Sequence, residues 1–183
     1  MITLQVIIFC YILGSIPFGL ILSTIYKKND PRKYGSKNIG ATNITRISGW
    51  RLGSLTLLLD ILKAFVPIKI CTIYNQELIP LASLALFFGH LYPVWLKFNG
   101  GKGIAVVIGI LFGFSEIYGL FFISTWIIVA LFSKYSSLSA MVSSIVTLII
   151  MLHFKEQNMF WIMFIINLMI LFKHKENVKR IYN

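Results

Sequence analysis

Long apolar segments recur along the whole of this 183-residue chain, with few charges inside them. Hydrophobic residues make up 57% of the sequence and charged residues only 13%, whereas about 25% of an average soluble domain is charged. A helix needs roughly 20 apolar residues to cross a bilayer core. The sequence therefore predicts an all-α membrane protein, with residues 1–183 forming one transmembrane domain.

The apolar segments predict seven spans, of which the fourth is short. They cover residues 3–26, 53–73, 78–95, 103–114, 117–133, 137–153 and 158–172. A helix of about 12 residues covers only about 18 Å. An alternative therefore joins the fourth and fifth spans into one helix over 103–132, which gives six spans.

The placement of basic residues favours seven spans. Cytoplasmic loops of membrane proteins collect Lys and Arg, and seven spans put 14 of the 17 basic residues on one side. These are Lys27, Lys28, Arg32, Lys33, Lys37, Arg46, Arg51, Lys97, Lys102, Lys134, Lys173, Lys175, Lys179 and Arg180. Six spans would move Lys134 and the basic tail to the side opposite the first loop. We therefore expect a compact bundle of seven transmembrane helices, with the N-terminus outside and the C-terminus cytoplasmic.

The net charge of +11 has the same explanation, because the basic residues lie between apolar spans and not on a polar domain. No nucleic-acid partner is expected. Cys10 and Cys71 lie within apolar runs and lack metal-ligand spacing, so we interpret them as packing residues. No His/Cys cluster and no nucleophile–base motif stands out, and neither a metal nor a cofactor is expected.

The first inner loop contains the segment YGSKNIGATNITR, residues 34–46. Glycines let backbone N–H groups converge on an oxyanion, hydroxyls and amides add donors, and Arg offers a planar fork suited to phosphate. The candidate ligands are Ser36, Asn38, Gly40, Thr42, Asn43 and Arg46. The alternative is a solvated, turn-rich loop, because Gly, Ser and Asn also dominate ordinary loops.

A second candidate anion site is the segment NGGKG, in which Gly100, Gly101 and Gly103 surround Lys102 just before a predicted helix. Backbone N–H groups at a helix start attract anions, and Lys102 adds a full positive charge. The spacing differs from that of a nucleotide-binding P-loop. The alternative is a flexible connector with a cytoplasmic lysine.

Three ionisable residues lie within predicted spans. Asp60 and Lys63 are three residues apart, on one helix face, and a mutual ion pair would lower the cost of burying them. The alternative is that both reach out to the inner interface. His90 precedes the glycine-lysine loop, and a lone histidine in a span is more often a hydrogen-bonded packing residue than a catalyst.

The basic tail after the last span supplies His174, Glu176 and Asn177. His174 and Asn177 are three residues apart and share a helix face, so they could point into an inner cavity. The neighbouring lysines are suited to anchoring the helix to anionic lipid.

Five segments of this chain, in order, resemble the acyl-phosphate-dependent glycerol-3-phosphate acyltransferases of bacterial membranes. They are LGSIPFG, YGSKNIGATNITR, LLLDILKAF, FGHLYPVWLKFNGGKG and HKENVKR. The resemblance implies a multi-pass inner-membrane enzyme with seven spans and a cytoplasmic active site. It would move a fatty acyl group from acyl-phosphate to the 1-hydroxyl of glycerol 3-phosphate, giving lysophosphatidic acid and phosphate.

The resemblance also implies residue roles. By position in these segments, Ser36, Asn38, Gly40, Thr42 and Asn43 would hold phosphate, Arg46 and Lys102 would bind substrate, and His174 and Asn177 would complete the site. Together with the residue chemistry above, this leads us to expect catalysis by Ser36, Lys102, His174 and Asn177, substrate binding by the other loop residues and by Gly100, Gly101 and Gly103, and a supporting role for Asp60, Lys63, His90 and Glu176. Acyl-phosphate already carries a good leaving group, so the protein mainly has to align the reactants and stabilise charge. A substrate phosphate or His174 would take the hydroxyl proton.

The expected partners are both substrates and the lipid bilayer, and the enzyme that makes acyl-phosphate is a candidate partner. A membrane transporter of a phosphorylated solute is the alternative function, because phosphate-suited loops also fit a carrier. The gathering of polar residues on one face and the lack of an inverted repeat favour the enzyme.

Overall fold

The computed structural model describes residues 2–182, which are helical with short connections and contain no strand. The α-helices are α1 (Ile2–Gly14), α2 (Phe18–Ile25), α3 (Ala41–Ser48), α4 (Trp50–Tyr74), α5 (Ile79–Leu91), α6 (Ile104–Phe114), α7 (Glu116–Ser133), α8 (Ser136–His153) and α9 (Gln157–Tyr182). Two 3₁₀ turns, Gln76–Leu78 and Val94–Leu96, flank α5. The all-α prediction is confirmed.

The predicted first span is two helices, α1 and α2, bent by 41°. The break falls at Ser15–Pro17, where proline lacks the N–H that a continuous helix needs. Ser15 is buried, and its hydroxyl donates to the Tyr11 carbonyl at 2.8 Å. Its surroundings therefore support a packing role at the bend.

Helices α1 and α5 cross at a very short backbone separation. A Cβ atom added to Gly14 would overlap the Leu86 carbonyl, and one added to Gly89 would overlap the Tyr11 carbonyl. Only glycine allows this approach, as at other close crossings of membrane helices. The crossing fixes α5, and with it His90 near the α5 C-terminus.

The alternative of one long helix over 103–132 is wrong. Helix α6 ends at Phe114, Ser115 is extended, and α7 begins at Glu116. Helix α6 is an 11-residue helix with seven buried residues, so protein and not lipid surrounds most of it. The last helix continues beyond the predicted end at residue 172, and this places His174 and Asn177 on α9.

Among the described helices, three are long and apolar enough to cross a membrane unaided: the α5 region Gln76–Leu96, α7 and α8. The bent α1–α2 pair makes a fourth if it counts as one span. The main core lies between α1, α4, α5, α6 and α9, and it includes the fully buried Phe87, Ile110 and Ile166. Cys10 and Cys71 are free thiols in this core, which confirms their interpretation as packing residues.

Candidate active site

A cavity of about 810 Å³ opens at one end of the bundle, where the first turns of α3, α6 and α8 meet the last turns of α9. Its size falls within the range of small-molecule sites, roughly 300–1,000 Å³. Twelve of the predicted site residues line it: Ser36, Asn38, Gly40, Thr42, Asn43, Arg46, Asp60, His90, Lys102, Gly103, His174 and Asn177. Segments that are far apart in the sequence therefore share one pocket.

Asn43 holds the first inner loop in shape. Its Oδ1 accepts from the Ser36 N–H at 2.8 Å, while its Nδ2 lies 2.9–3.1 Å from the carbonyls of Pro31, Tyr34 and Asn38. These bonds occupy both polar ends of the side chain, which is buried. A direct phosphate contact through the Asn43 side chain is therefore not supported, and Asn43 instead positions Ser36 and Asn38.

The remaining polar residues of this loop are turned towards the cavity. Ser36, Asn38 and Arg46 all line it, and Arg46 is exposed. The Thr42 hydroxyl lies 3.4 Å from the Ser136 hydroxyl at the start of α8. Helix α3 begins at Ala41, directly after Gly40, so its first N–H groups also face this region.

The glycine-lysine loop folds back onto the C-terminus of α5. The Gly100 N–H donates to the Leu91 carbonyl at 3.1 Å, and the Gly101 N–H donates to the His90 carbonyl at 3.0 Å. These two donors are already used, and neither glycine lines the cavity, so the anion contacts predicted for Gly100 and Gly101 are not supported. Their hydrogen bonds fold the loop against α5, and Lys102 on the same loop lines the pocket.

Gly103 has a φ of +87° and caps the N-terminus of α6. A Cβ atom at this position would also overlap the Phe87 ring. Both the positive φ and this close packing therefore favour glycine. Beside it, the Lys102 ammonium donates a hydrogen bond to Oδ1 of Asn177. The loop before α6 is thereby joined to the end of α9.

Asp60, Lys63 and His90 form a buried polar cluster behind the cavity. The Lys63 Nζ lies 2.7 Å from Asp60 Oδ1, 2.8 Å from the Ile16 carbonyl and 3.0 Å from His90 Nδ1. The predicted ion pair is confirmed. The alternative in which both charges reach the interface is wrong, because the two side chains are only 1% and 3% exposed. Asp60 and His90 border the cavity, whereas Lys63 does not.

The last turns of α9 present two residues to the cavity. His174 is buried, and its Nδ1 lies 2.8 Å from the Ile170 carbonyl. Asn177 lies one turn later and binds Lys102. Glu176 points away: its side chain is 59% exposed, it lies 3.9 Å from Lys179, and it does not line the cavity. Its placement does not support a role in the site.

Part of the cavity lining is apolar and is termed the apolar wall; no feature of the sequence indicated it. The wall is formed by Leu57, Ile61, Ile104, Ile108, Ile123, Trp126 and Ile127. Lys134, predicted only as a topology marker, also lines the pocket. The cavity therefore combines a polar, cationic chamber with a hydrophobic surface.

Comparison with known proteins identifies relatives over almost the whole chain. The glycerol-3-phosphate acyltransferase family profile matches residues 4–183. A glycerol-3-phosphate acyltransferase of Pelagibacter ubique is 48% identical over 175 residues, which cover 94% of this chain and 90% of the relative.

Two solved structures have the same fold. Both are of PlsY, an integral membrane glycerol 3-phosphate acyltransferase, one in the glycerol 3-phosphate form and one in the lysophosphatidic acid form. The first superposes with a TM-score of 0.96 at 34% identity and the second with 0.91 at 32%, each covering 100% of this chain and 92% of PlsY.

Proposed function

Because the chain belongs to the glycerol-3-phosphate acyltransferase family, we propose that it transfers a fatty acyl group from acyl-phosphate to the 1-hydroxyl of glycerol 3-phosphate. The products would be lysophosphatidic acid and inorganic phosphate. The names of the relatives support the acyltransferase class and the acceptor. The lysophosphatidic acid form of PlsY agrees with the proposed product.

The observation that carries this proposal is the two-part lining of the cavity. Arg46, Lys102 and Lys134 line the cavity together with the first residues of α3 and α6, and helix starts favour anions. The adjoining apolar wall suits a fatty chain. Acyl-phosphate has a phosphate and an apolar chain in one molecule, and glycerol 3-phosphate supplies a second phosphate.

The proposed reaction needs no acyl-enzyme. The acceptor hydroxyl oxygen attacks the acyl carbonyl carbon, the carbonyl π electrons move to its oxygen, and collapse of this intermediate breaks the bond to the phosphate leaving group. The hydroxyl proton must be transferred to a base. In this scheme, Ser36, Asn38, Thr42 and Arg46 would bind phosphate oxygens, and Lys102, held by Asn177, would neutralise the charge on the leaving group.

The hydrogen bond of His174 supports it as the proton acceptor. A carbonyl can only accept, so Nδ1 carries the proton that binds the Ile170 carbonyl. In the neutral ring, Nε2 then has a free lone pair. A phosphate oxygen of a substrate is the alternative acceptor.

We also propose the finer topology: seven spans with the cavity facing the cytoplasm of the inner membrane. The cavity end carries Lys102, Lys134 and Arg46, whereas a pocket near the other end is lined by Glu77 and Glu156. This asymmetry fits a cytoplasmic cavity. The enzyme that makes acyl-phosphate would then be a partner on the same side, since its product must reach this opening.

The decisive experiment uses purified protein in detergent with palmitoyl phosphate and glycerol 3-phosphate. We expect lysophosphatidic acid and phosphate in equal amounts, and no product when palmitoyl-CoA replaces palmitoyl phosphate. Lys102→Met should lower turnover by about 10²–10³-fold, as loss of a charge-stabilising donor does. Lys28→Met, at an exposed residue that does not line the cavity, is the matched control.

The carrier alternative makes a different prediction. In sealed vesicles, glycerol 3-phosphate uptake without any acylated product would support a transporter and overturn the enzyme assignment. Equal activity with palmitoyl-CoA would leave the acyltransferase standing and overturn the acyl-phosphate donor.

A further inference from the structure

His90 borders the cavity, but the roles proposed above leave it unused. It is 4% exposed and lies at the C-terminal end of α5, with its carbonyl accepting from the Gly101 N–H at 3.0 Å. His90 and Asp60 line the same cavity as the cationic Lys102 and the apolar Ile61, which follows Asp60 on α4. In an acyl-phosphate, the carbonyl group lies between the phosphate and the apolar chain, so a group that lines this mixed cavity could contact it.

The partner of Nδ1 determines which nitrogen of His90 carries the proton. The Lys63 ammonium lies 3.0 Å from His90 Nδ1, and an ammonium group can only donate. Nδ1 must therefore accept, and the neutral ring carries its proton on Nε2. The Asp60 carboxylate, 2.7 Å from Lys63 Nζ, holds the lysine in place and favours its charged form.

The Nε2 edge of the ring faces the glycine-lysine loop. A Cβ atom added to Gly101 would overlap His90 Nε2, so the absence of a side chain at Gly101 makes room for this edge directly beside Lys102. Within the described part of the chain, no protein group accepts a hydrogen bond from Nε2. A donor with no protein partner, in a buried residue that lines the cavity, is suited to a ligand.

We propose that the Nε2–H of His90 donates a hydrogen bond to the carbonyl oxygen of the acyl donor and stabilises the oxyanion that forms there during attack. His90 is then a catalytic residue, and Asp60 and Lys63 are positioning residues that set its tautomer. The ammonium bound to Nδ1 also polarises the ring and strengthens the Nε2–H donor. This inference rests on the function proposed above.

Two substitutions separate this role from a structural one. Asn at position 90 places an amide oxygen near the position of Nδ1 and keeps the bond to Lys63, but it is too short to reach the cavity. Gln places its amide N–H near the position of Nε2. We expect His90→Asn to lower kcat by about 10²–10³-fold with the KM for glycerol 3-phosphate little changed, and His90→Gln to retain most of kcat.

A purely structural His90 would give the reverse order, with the Asn variant active and the Gln variant impaired, and would overturn the inference. Ser83→Ala is the matched control, because Ser83 is buried two turns earlier on α5 and does not line the cavity. Wild-type activity with palmitoyl phosphate must be present for this comparison. Its absence would count against the proposed function itself.

Nuclear magnetic resonance of the ¹⁵N-histidine-labelled wild type provides a test that needs no variant at position 90. His153→Gln and His174→Gln assign the other two rings. We expect the Nε2–H tautomer for His90 without substrate, and a shift of its Nε2–H resonance when palmitoyl methylene-phosphonate is added, in which CH₂ replaces the bridging oxygen. An Nδ1–H tautomer, or an unchanged resonance at saturating analogue, would overturn the inference.

Discussion

The Lys102 ammonium donates a hydrogen bond to Oδ1 of Asn177, which lies 75 residues later in the chain. This contact joins the loop before α6 to the last turns of α9 at the cavity. It restricts the long lysine side chain, whose freedom would otherwise oppose any fixed contact with an anion. The two residues should therefore act as one unit in binding and turnover.

A double-mutant cycle tests this coupling. We expect Lys102→Met and Asn177→Ala each to lower kcat/KM, and the double variant to lose much less than the product of the two single losses. Residues in direct contact show coupling energies of about 0.5–3 kcal/mol, whereas the free-energy effects of substitutions at distant sites are additive. Steady-state kinetics with palmitoyl phosphate measures it. Additive losses would show that Asn177 does not work through Lys102.

Asn43 should be essential to the shape of the first loop. We expect Asn43→Asp to lower the free energy of unfolding by several kcal/mol. The carboxylate of Asp still accepts from the Ser36 N–H, but it has no N–H to donate to the three loop carbonyls. Each carbonyl left without a donor costs about 1–3 kcal/mol. The thermal unfolding midpoint in detergent is the measurement.

The same substitution at Asn75 is the control. Asn75 uses only its Oδ1, which accepts from the Glu77 N–H at 3.1 Å, and an Asp carboxylate can replace it. Asn75→Asp should leave the midpoint within about 1 °C of wild type. Equal effects at both positions would contradict the role assigned to Asn43.

The buried ion pair should respond asymmetrically to removal of its members. Lys63→Met leaves the Asp60 carboxylate buried without its cation, and loss of one partner of a buried pair destabilises by about 3–5 kcal/mol. Adding Asp60→Leu removes the orphaned charge, so the double variant should regain much of the lost stability. A double variant less stable than Lys63→Met would contradict this prediction.

The exposed pair Lys69–Glu116, at 4.0 Å, supplies the comparison. Exposed pairs contribute about 0–1 kcal/mol. Lys69→Met should therefore leave the unfolding midpoint nearly unchanged, whereas Lys63→Met on the same helix lowers it clearly. Thermal unfolding monitored by circular dichroism distinguishes the two.

His174→Gln decides which group takes the hydroxyl proton. Gln keeps a polar group near the cavity but cannot accept a proton at neutral pH. If His174 is the base, kcat should fall by about 10²–10⁴-fold with little change in the KM for glycerol 3-phosphate. A loss smaller than tenfold would favour a substrate phosphate as the acceptor. His153→Gln, at the opposite end of α8 from the cavity, is the control.

Much of the fold could be predicted because the length and apolarity of each segment are local properties of the sequence. The separation of α6 from α7 was predicted correctly from the charge of Lys134, since a join would have moved that residue to the other side. Pro17 permits a kink in the first span, but the sequence did not specify a break into two helices bent by 41°, nor the end of α9 at Tyr182, because helix ends depend on neighbouring helices as well as on residue type.

The polar segments that supply the cavity could be predicted from the sequence, because charged and amide side chains are rare in apolar spans and therefore conspicuous. Which of their side chains line the cavity depends on the packing of the helices. Thr42 and Asn43 are adjacent and equally polar, yet Asn43 is turned inward and bonded to the loop. The N–H of Gly101 is used because α5 brings the His90 carbonyl to it. The apolar wall could not be predicted from the sequence, because residue type does not distinguish its members from outward-facing residues. Ile123 lines the cavity and Ile128 is exposed on the outside of the same helix, yet both are isoleucine.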